Sequence, residues 1–279
     1  MNKLWITVMK NSSFFKRTYL TKNLICLSIV LSLLAAVNAN ADATLSYQSL
    51  NGKFNFQVKN QLVYVKNIDQ GTDIVFEESA NHVIIINHNK GTYSVLNEAE
   101  MQNIDRQIGG LKDTLTSGLS SDQREQLNEF LGGALGPEPN QAAKQYSINA
   151  IGGAKVGNFE CQQSEVFENN QSLGYICVAN AQQLSLNSAD YLTLIAFQKF
   201  AVKANNLLRK SIGSALQVEL PNLENTNINE LLIFSQLQEP DQADFYLEQV
   251  NTKAIAEVFS IPNNYKQESV ISSINLSQF

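Results

Sequence analysis

"GKFNFQVKNQLVYVKN", residues 52–67, decides the fold class. Phe54, Phe56 and Val58 alternate with Asn55 and Gln57, so one side of an extended strand is apolar and the other polar. Lys59-Asn60-Gln61 turns the chain and "LVYVKN" returns, which makes a β-hairpin. The same pattern continues downstream. "DIVFEE" reads as a third strand, and "HVIIIN" and "TYSVLN" flank "HNKG", where a left-handed residue at Gly91 suits a tight turn. Five strands of an antiparallel meander are therefore expected between Thr44 and Asn97.

Beyond Asn97 the apolar period lengthens. Met101, Ile104, Ile108, Leu111 and Leu115 recur in steps of three and four, as one face of a helix does, with Gly109 and Gly110 weakening its middle. A second helix is expected from about Ser121 through Leu127, Phe130 and Leu131 to Gly132-Gly133. After the connector "LGPEPNQ", the strand "QYSINAI" and the segment bearing two cysteines resume the sheet. The longest helix is expected over about 188–212, with Tyr191, Leu194, Phe197, Ala201, Ala204 and Leu208 on one face and Ser188 as its cap. "LLIFSQLQ", "DFYLEQVN" and "EVFSIPNNYK" supply the closing strands. The expected class is α+β, an antiparallel sheet of about ten strands carrying amphipathic helices.

The N-terminal segment is read as a signal peptide. Lys3, Lys10, Lys16, Arg17 and Lys22 precede an apolar run from Leu24 to Val37, with no acidic residue before Asp42. That run falls short of the roughly 20 residues a membrane-spanning helix needs. It ends in "AVNANAD", and Ala39-Asn40-Ala41 is a better small-x-small cleavage site than Val37-Asn38-Ala39. Cleavage between Ala41 and Asp42 divides the chain into a leader, 1–41, and one domain, 42–279, with a helical insert at about 98–133 and a tail at about 267–279. The leader carries five of the 20 basic residues and none of the 26 acidic ones, so the mature chain has 15 against 26, a net charge of −11. That balance disfavours nucleic acid and anionic membrane surfaces, which reward clustered Lys and Arg.

Catalytic and metal constellations are not legible. His82 and His88 stand six positions apart, roughly 20 Å along a strand at ~3.3 Å per residue, too far to share a metal. No G-x-S-x-G elbow is present, no group is evident that would orient a histidine base, and the glycine pairs lack the Lys-Ser/Thr ending of a phosphate loop. Counting back by twos from Phe279 meets Ser277, Asn275 and Ser273, which breaks the alternation of a final outer-membrane barrel strand. Neither metal nor cofactor is expected, and the chain is read as non-enzymatic.

Cys26 leaves with the leader, so Cys161 and Cys177 are the cysteines to place. If they face each other in a hairpin, their numbers set its apex at Asn169, Phe167 faces Gln171, and Glu168-Asn169-Asn170 forms a three-residue loop. Directly opposed residues have Cα atoms ~4.5–5.5 Å apart, within disulfide reach. Two cysteines alone make half a zinc site, and a C-x-x-C redox pair needs closer spacing. A disulfide Cys161–Cys177 in an exported chain is therefore expected.

Taken together, "NGKFNFQVKNQLVYVKN", "VIIINHNKGTYSVLN", "IGGAKVGNFECQQSEV", "GYICVAN", "LSLNSADYLTL" and "VFSIPNNYK" resemble an uncharacterised family of bacterial exported proteins, a domain of unknown function grouped with the lipoprotein-carrier (LolA/LolB-like) half-barrels. The likeness covers Leu45 to Lys266; Gly157-Asn158-Phe159-Glu160-Cys161 and Phe259-Ser260-Ile261-Pro262 with Tyr265 carry its most specific steps. The resemblance implies a curved sheet, a half-barrel, with helices across its concave side and room for a lipid or acyl group. Phe54, Phe56, Met101, Ile104, Ile108, Leu194 and Phe197 are then the expected lining, and a lipid or lipidated peptide the expected ligand. The alternative is an envelope sensor or interaction module, periplasmic or secreted, that binds a protein partner with the same fold.

Overall fold

Two meanders, each running strand to neighbouring strand, are joined by their outermost members into one open sheet. The structure, a computed structural model, describes residues 42–50, 52–67, 71–130, 146–212, 229–237, 242–253, 255 and 259–270. The leader, the connector at 135–141 and most of 224–230 lie outside the described residues. The first meander comprises β1 (Ala43–Ser49), β2 (Gly52–Lys59), β3 (Leu62–Asn67), β4 (Thr72–Glu77), β5 (His82–Asn87) and β6 (Thr92–Leu96). Helices α1 (Glu98–Thr116) and α2 (Ser121–Phe130) follow, then β7 (Tyr146–Val156), β8 (Phe159–Glu168), β9 (Gln171–Ala179) and α3 (Ser188–Ile212). β10 (Leu231–Gln236), β11 (Phe245–Asn251) and the short β12 (Lys266–Gln267) complete the order.

Across the sheet the strands run β12-β6-β5-β4-β3-β2-β1-β11-β10-β9-β8-β7. Every pairing is antiparallel except β12 with β6. The centre is a pairing of distant chain segments, Leu45 opposite Val250 and Tyr47 opposite Leu247. Twelve strands replace the expected ten or so. One addition is β1, whose inward Ala43, Leu45 and Tyr47 alternate with Thr44, Ser46 and Gln48 and make six strands, not five, before Asn97. "EVFSIPNNYK" departs the other way: residues 259–265 form no strand, and only Lys266–Gln267 pair.

Turn chemistry fixes the hairpins. Asn60 and Gln61 have φ of 52° and 62°, and Asn169 and Asn170 have 50° and 67°, the paired left-handed conformation of a two-residue turn that matches strand twist. Gly91 adopts φ 62° in the His88–Gly91 loop, as expected. Asn97 caps α1, its Oδ1 accepting from the Glu100 N–H at 2.9 Å. At α3 the cap is Asn187 rather than Ser188: Asn187 Oδ1 accepts from the Asp190 N–H at 3.0 Å, because a capping side chain reaches three residues ahead.

α3 lies over β2, β3 and β10 and packs against α1, which also touches β6. Tyr47, 1% exposed, is the hub of this face, with ring centroids 5.3 Å from Phe54, 5.2 Å from Phe56 and 6.0 Å from Phe245. Its hydroxyl donates to the Leu232 carbonyl at 3.2 Å, and burial pushes the phenol pKa up. Phe76 on β4 meets Phe197 and Phe200 of α3, both at 5.6 Å. The other face of β3–β6 carries a second, smaller core. Tyr64, Val75 and Ile86 are buried there beneath Phe259, Ile261 and Tyr265. Strands alternate their side chains, so β3–β6 are apolar on both faces.

Candidate functional site

Six of the seven expected lining residues come together. Met101, Ile104 and Leu194 are buried in the main core, and Phe54, Phe56 and Phe197 pack against it. The side chain of Ile108 lies outside the described residues. The six meet protein: Phe56 sits 5.5 Å from Phe197 and 5.3 Å from Phe54, close to the spacing of aromatic pairs in filled interiors. An open groove of about 800 Å³ lies at the β6–β12 edge, lined by Val95, Asn97, Glu100, Asn103, Glu268 and Val270. A smaller one of about 280 Å³ lies beside Leu50 and Tyr246.

Cys161 and Cys177 form the expected disulfide, with S–S 2.06 Å and Cα atoms 5.7 Å apart. The expected hairpin register is corrected. The loop has two residues, with Glu168 opposite Gln171 and Phe167 opposite Ser172, so Asn169 is not a lone apex. A bulge then shifts β9: Val166 faces Gly174, and Gln163, not Cys161, faces Cys177. Cys161 lies two residues along β8 from Gln163, on the same side of the strand, so the bond joins diagonal neighbours. Gly174 borders the bulge and lets the backbone at the end of β10 approach: at φ 144° a Cβ there would stand 1.9 Å from the Gln236 carbonyl oxygen.

This stapled arm ends in β7. β7 pairs with β8 on one side, and among the described residues no strand pairs with its other side. Its eleven residues carry one charged side chain, Lys155, which lies 3.8 Å from Glu160, and Ile151 at the midpoint is 55% exposed. The opposite edge is closed. Lys266 N–H donates to the Gly91 carbonyl at 3.1 Å, Glu268 N–H to the Tyr93 carbonyl at 2.9 Å, and Val270 enters the main core.

A titratable cluster sits beneath that closing segment. The absence of an orienting group for histidine is corrected here: Asp73, buried on β4, takes His88 Nε2 at 2.8 Å, and Tyr265 hydroxyl lies 2.9 Å from His88 Nδ1. Tyr64 donates to the same Asp73 oxygen. A carboxylate oxygen that already accepts from Tyr64 takes a further donor in His88 Nε2–H, and Nδ1 is left to pair with the Tyr265 hydroxyl. Both ring nitrogens are thus occupied by protein groups. With Phe259 stacked on Tyr64 at 4.7 Å, the cluster clamps residues 259–265 onto the sheet. Asp73 was missed because its partner arrives from a turn fifteen residues on; the signal was an acid among the alternating apolar residues of "TDIVFE".

Among the described residues no three His, Cys, Asp or Glu side chains converge as a metal site, and no helix is long and apolar enough to cross a membrane. No protein-family model matches this chain, and no curated protein matches it. The disulfide fits an exported protein, since such bonds persist in oxidising compartments.

Proposed function

We propose that this chain is an exported, non-enzymatic interaction module of half-barrel type, and that it engages an envelope protein by accepting an extended segment alongside β7. The observation that supports this reading is the contrast between the sheet's two edges: the start of β6 is paired with Lys266–Gln267, whereas β7 presents eleven residues with no strand on its outer side among those described. An edge strand exposes a row of N–H and C=O groups, and strand addition is a recurrent mode of peptide recognition. Ile151 offers the apolar contact that such a segment covers, and one lysine leaves the edge nearly uncharged.

Carriage of a lipid or acyl group is the second reading, favoured by the groove of about 800 Å³, which is of ligand size. A photoreactive residue at position 151, installed in the protein in its own envelope, tests the first. A discrete protein adduct at 151, absent from a control at Asn55, is expected. Acyl species retained one to one in native mass spectrometry, with no adduct at 151, would instead establish the carrier reading.

A further inference from the structure

The start of β1 and the first turn of α3 each bury a carboxylate, and the charge of one acts on the other. Asp42 is 4% exposed. Its Oδ2 accepts from the Ile255 N–H at 2.6 Å and lies 3.3 Å from Lys59 Nζ, which also donates to the Ile255 carbonyl at 2.5 Å. Asp42 Oδ1 is buried with no hydrogen-bond partner. Asp190 on α3 is also 4% exposed and is held by the Asn187 side chain. Burial pushes its carboxyl up to about 6, Asn187 opposing the rise and the Asp42 charge adding to it. One turn further, Thr193 donates to Glu78. Of these carboxylates only Asp42 is paired with an ammonium, that of Lys59, among the described residues.

A buried carboxylate oxygen left unpaired costs the full desolvation of that oxygen, so such an atom asks for a donor. We propose that the donor is the chain's own α-ammonium, created when the leader is removed between Ala41 and Asp42, and that it serves as the fixed counter-ion of Asp42 and Asp190. The inference rests on the leader reading of residues 1–41 and not on the proposed partner. Hydrolysis adds water across the Ala41–Asp42 peptide bond: the Ala41 carbonyl carbon becomes a carboxylate, and the Asp42 nitrogen leaves as an ammonium, with no other reactant. A neutral amide with one hydrogen becomes a cation with three, two bonds from the Asp42 side chain. Asp42 and Ala43 are buried and β1 is paired on both sides, so cleavage precedes completion of the sheet.

The sign of the pH dependence follows. An amine stabilised by carboxylates has a raised folded-state pKa, so its contribution is complete below the unfolded value of ~7.7–8.0 and is lost as pH rises through the folded value. With an acetylated Ala41 retained, the raised pKa of Asp190 makes stability fall as pH rises from about 4 to about 6. Lys59 and Glu78 are present in both chains and cancel in the comparison.

The test compares the oxidised mature chain starting at Asp42 with one that keeps an Nα-acetylated Ala41 and so has no α-ammonium, each with and without Asp190→Asn, in denaturant unfolding from pH 4 to 10. The Asp42 chain is expected to have an unfolding constant roughly tenfold smaller near pH 7, the scale of a charge-assisted hydrogen bond. That advantage should fade above the folded amine pKa and shrink with Asp190→Asn. Equal stability at pH 7, or an advantage independent of pH and of Asp190, overturns the proposal. So does exported protein whose first residue is not Asp42. Should Asp190→Asn fail to fold, titration of a ¹⁵N-labelled α-amine decides: a pKa above 8 is expected, and an ordinary value overturns the assignment.

Discussion

The two ends of the sheet are built on opposite principles. Around β3–β6 both faces are covered, by α1 and α3 on one side and by residues 259–265 on the other, and β6 receives β12. The β7–β9 arm joins the sheet through the β9–β10 ladder, carries one covalent bond between β8 and β9, and has no strand paired with the outer side of β7 among the described residues. Non-covalent closure suits an edge that must stay shut. A staple several residues inside the arm lets the terminal strand remain available without the arm coming apart.

That contrast breaks first at Phe76, which joins the covered half to α3. Phe76→Ala removes two ring contacts at a fully buried site and is expected to cost about 3–5 kcal/mol in denaturant unfolding; a loss under 1 kcal/mol would mean the sheet and α3 are not packed as described. Replacing both Cys161 and Cys177 by Ser is expected to cost about 3 kcal/mol, from the loop entropy the bond removes. Hydrogen exchange should then quicken in β7–β9 while β3–β6 keep their protection, and uniform quickening would contradict the division of labour.

Opening the clamp tests the covered edge alone. His88→Ala deletes hydrogen bonds to Asp73 and Tyr265 at a side chain 39% exposed, while Tyr64 still donates to Asp73. About 1 kcal/mol and faster proteolysis within 259–265 are expected, and unchanged proteolysis would show that the ring is no brace. The smallest effect belongs to the bare edge. Ile151→Lys is expected to change stability by less than about 0.5 kcal/mol, since the side chain is mostly in solvent, while abolishing the protein adduct formed by a photoreactive residue placed instead at Asn149 on the same strand. A large destabilisation would show that Ile151 already has a cover.

The sequence disclosed what periodicity can disclose. The hairpins β2–β3 and β5–β6 and the helices α1 and α3 follow from apolar spacing and turn residues. β1 escaped because Thr44, Ser46 and Gln48 dilute its alternation. The cysteine pairing followed from compartment and spacing, yet its register did not, because a bulge changes the count across a hairpin. Gly174 inside a strand pattern was the visible hint. Residues 259–265 read as a strand because their apolar residues are arranged to cross other strands rather than to pair with them. Met101, Ile104, Leu194 and Phe197 lie in or against the main core, on the faces their spacing marks as apolar. Whether facing side chains leave a cavity depends on how closely α3 approaches the sheet, and spacing along one chain carries no such distance. The Asp73–His88–Tyr265 relay needed three segments brought together, which only the fold supplies.

The most direct measurement is residue-resolved hydrogen exchange on the isolated, oxidised mature protein, with the two edges compared in one experiment. The outward amides of Tyr146–Val156 are expected to exchange orders of magnitude faster than those of Thr92–Leu96, with the β8-facing amides of the same strand protected. Protection along β7 equal to that along β6, with no alternation, would contradict the claim that one edge is closed and the other open.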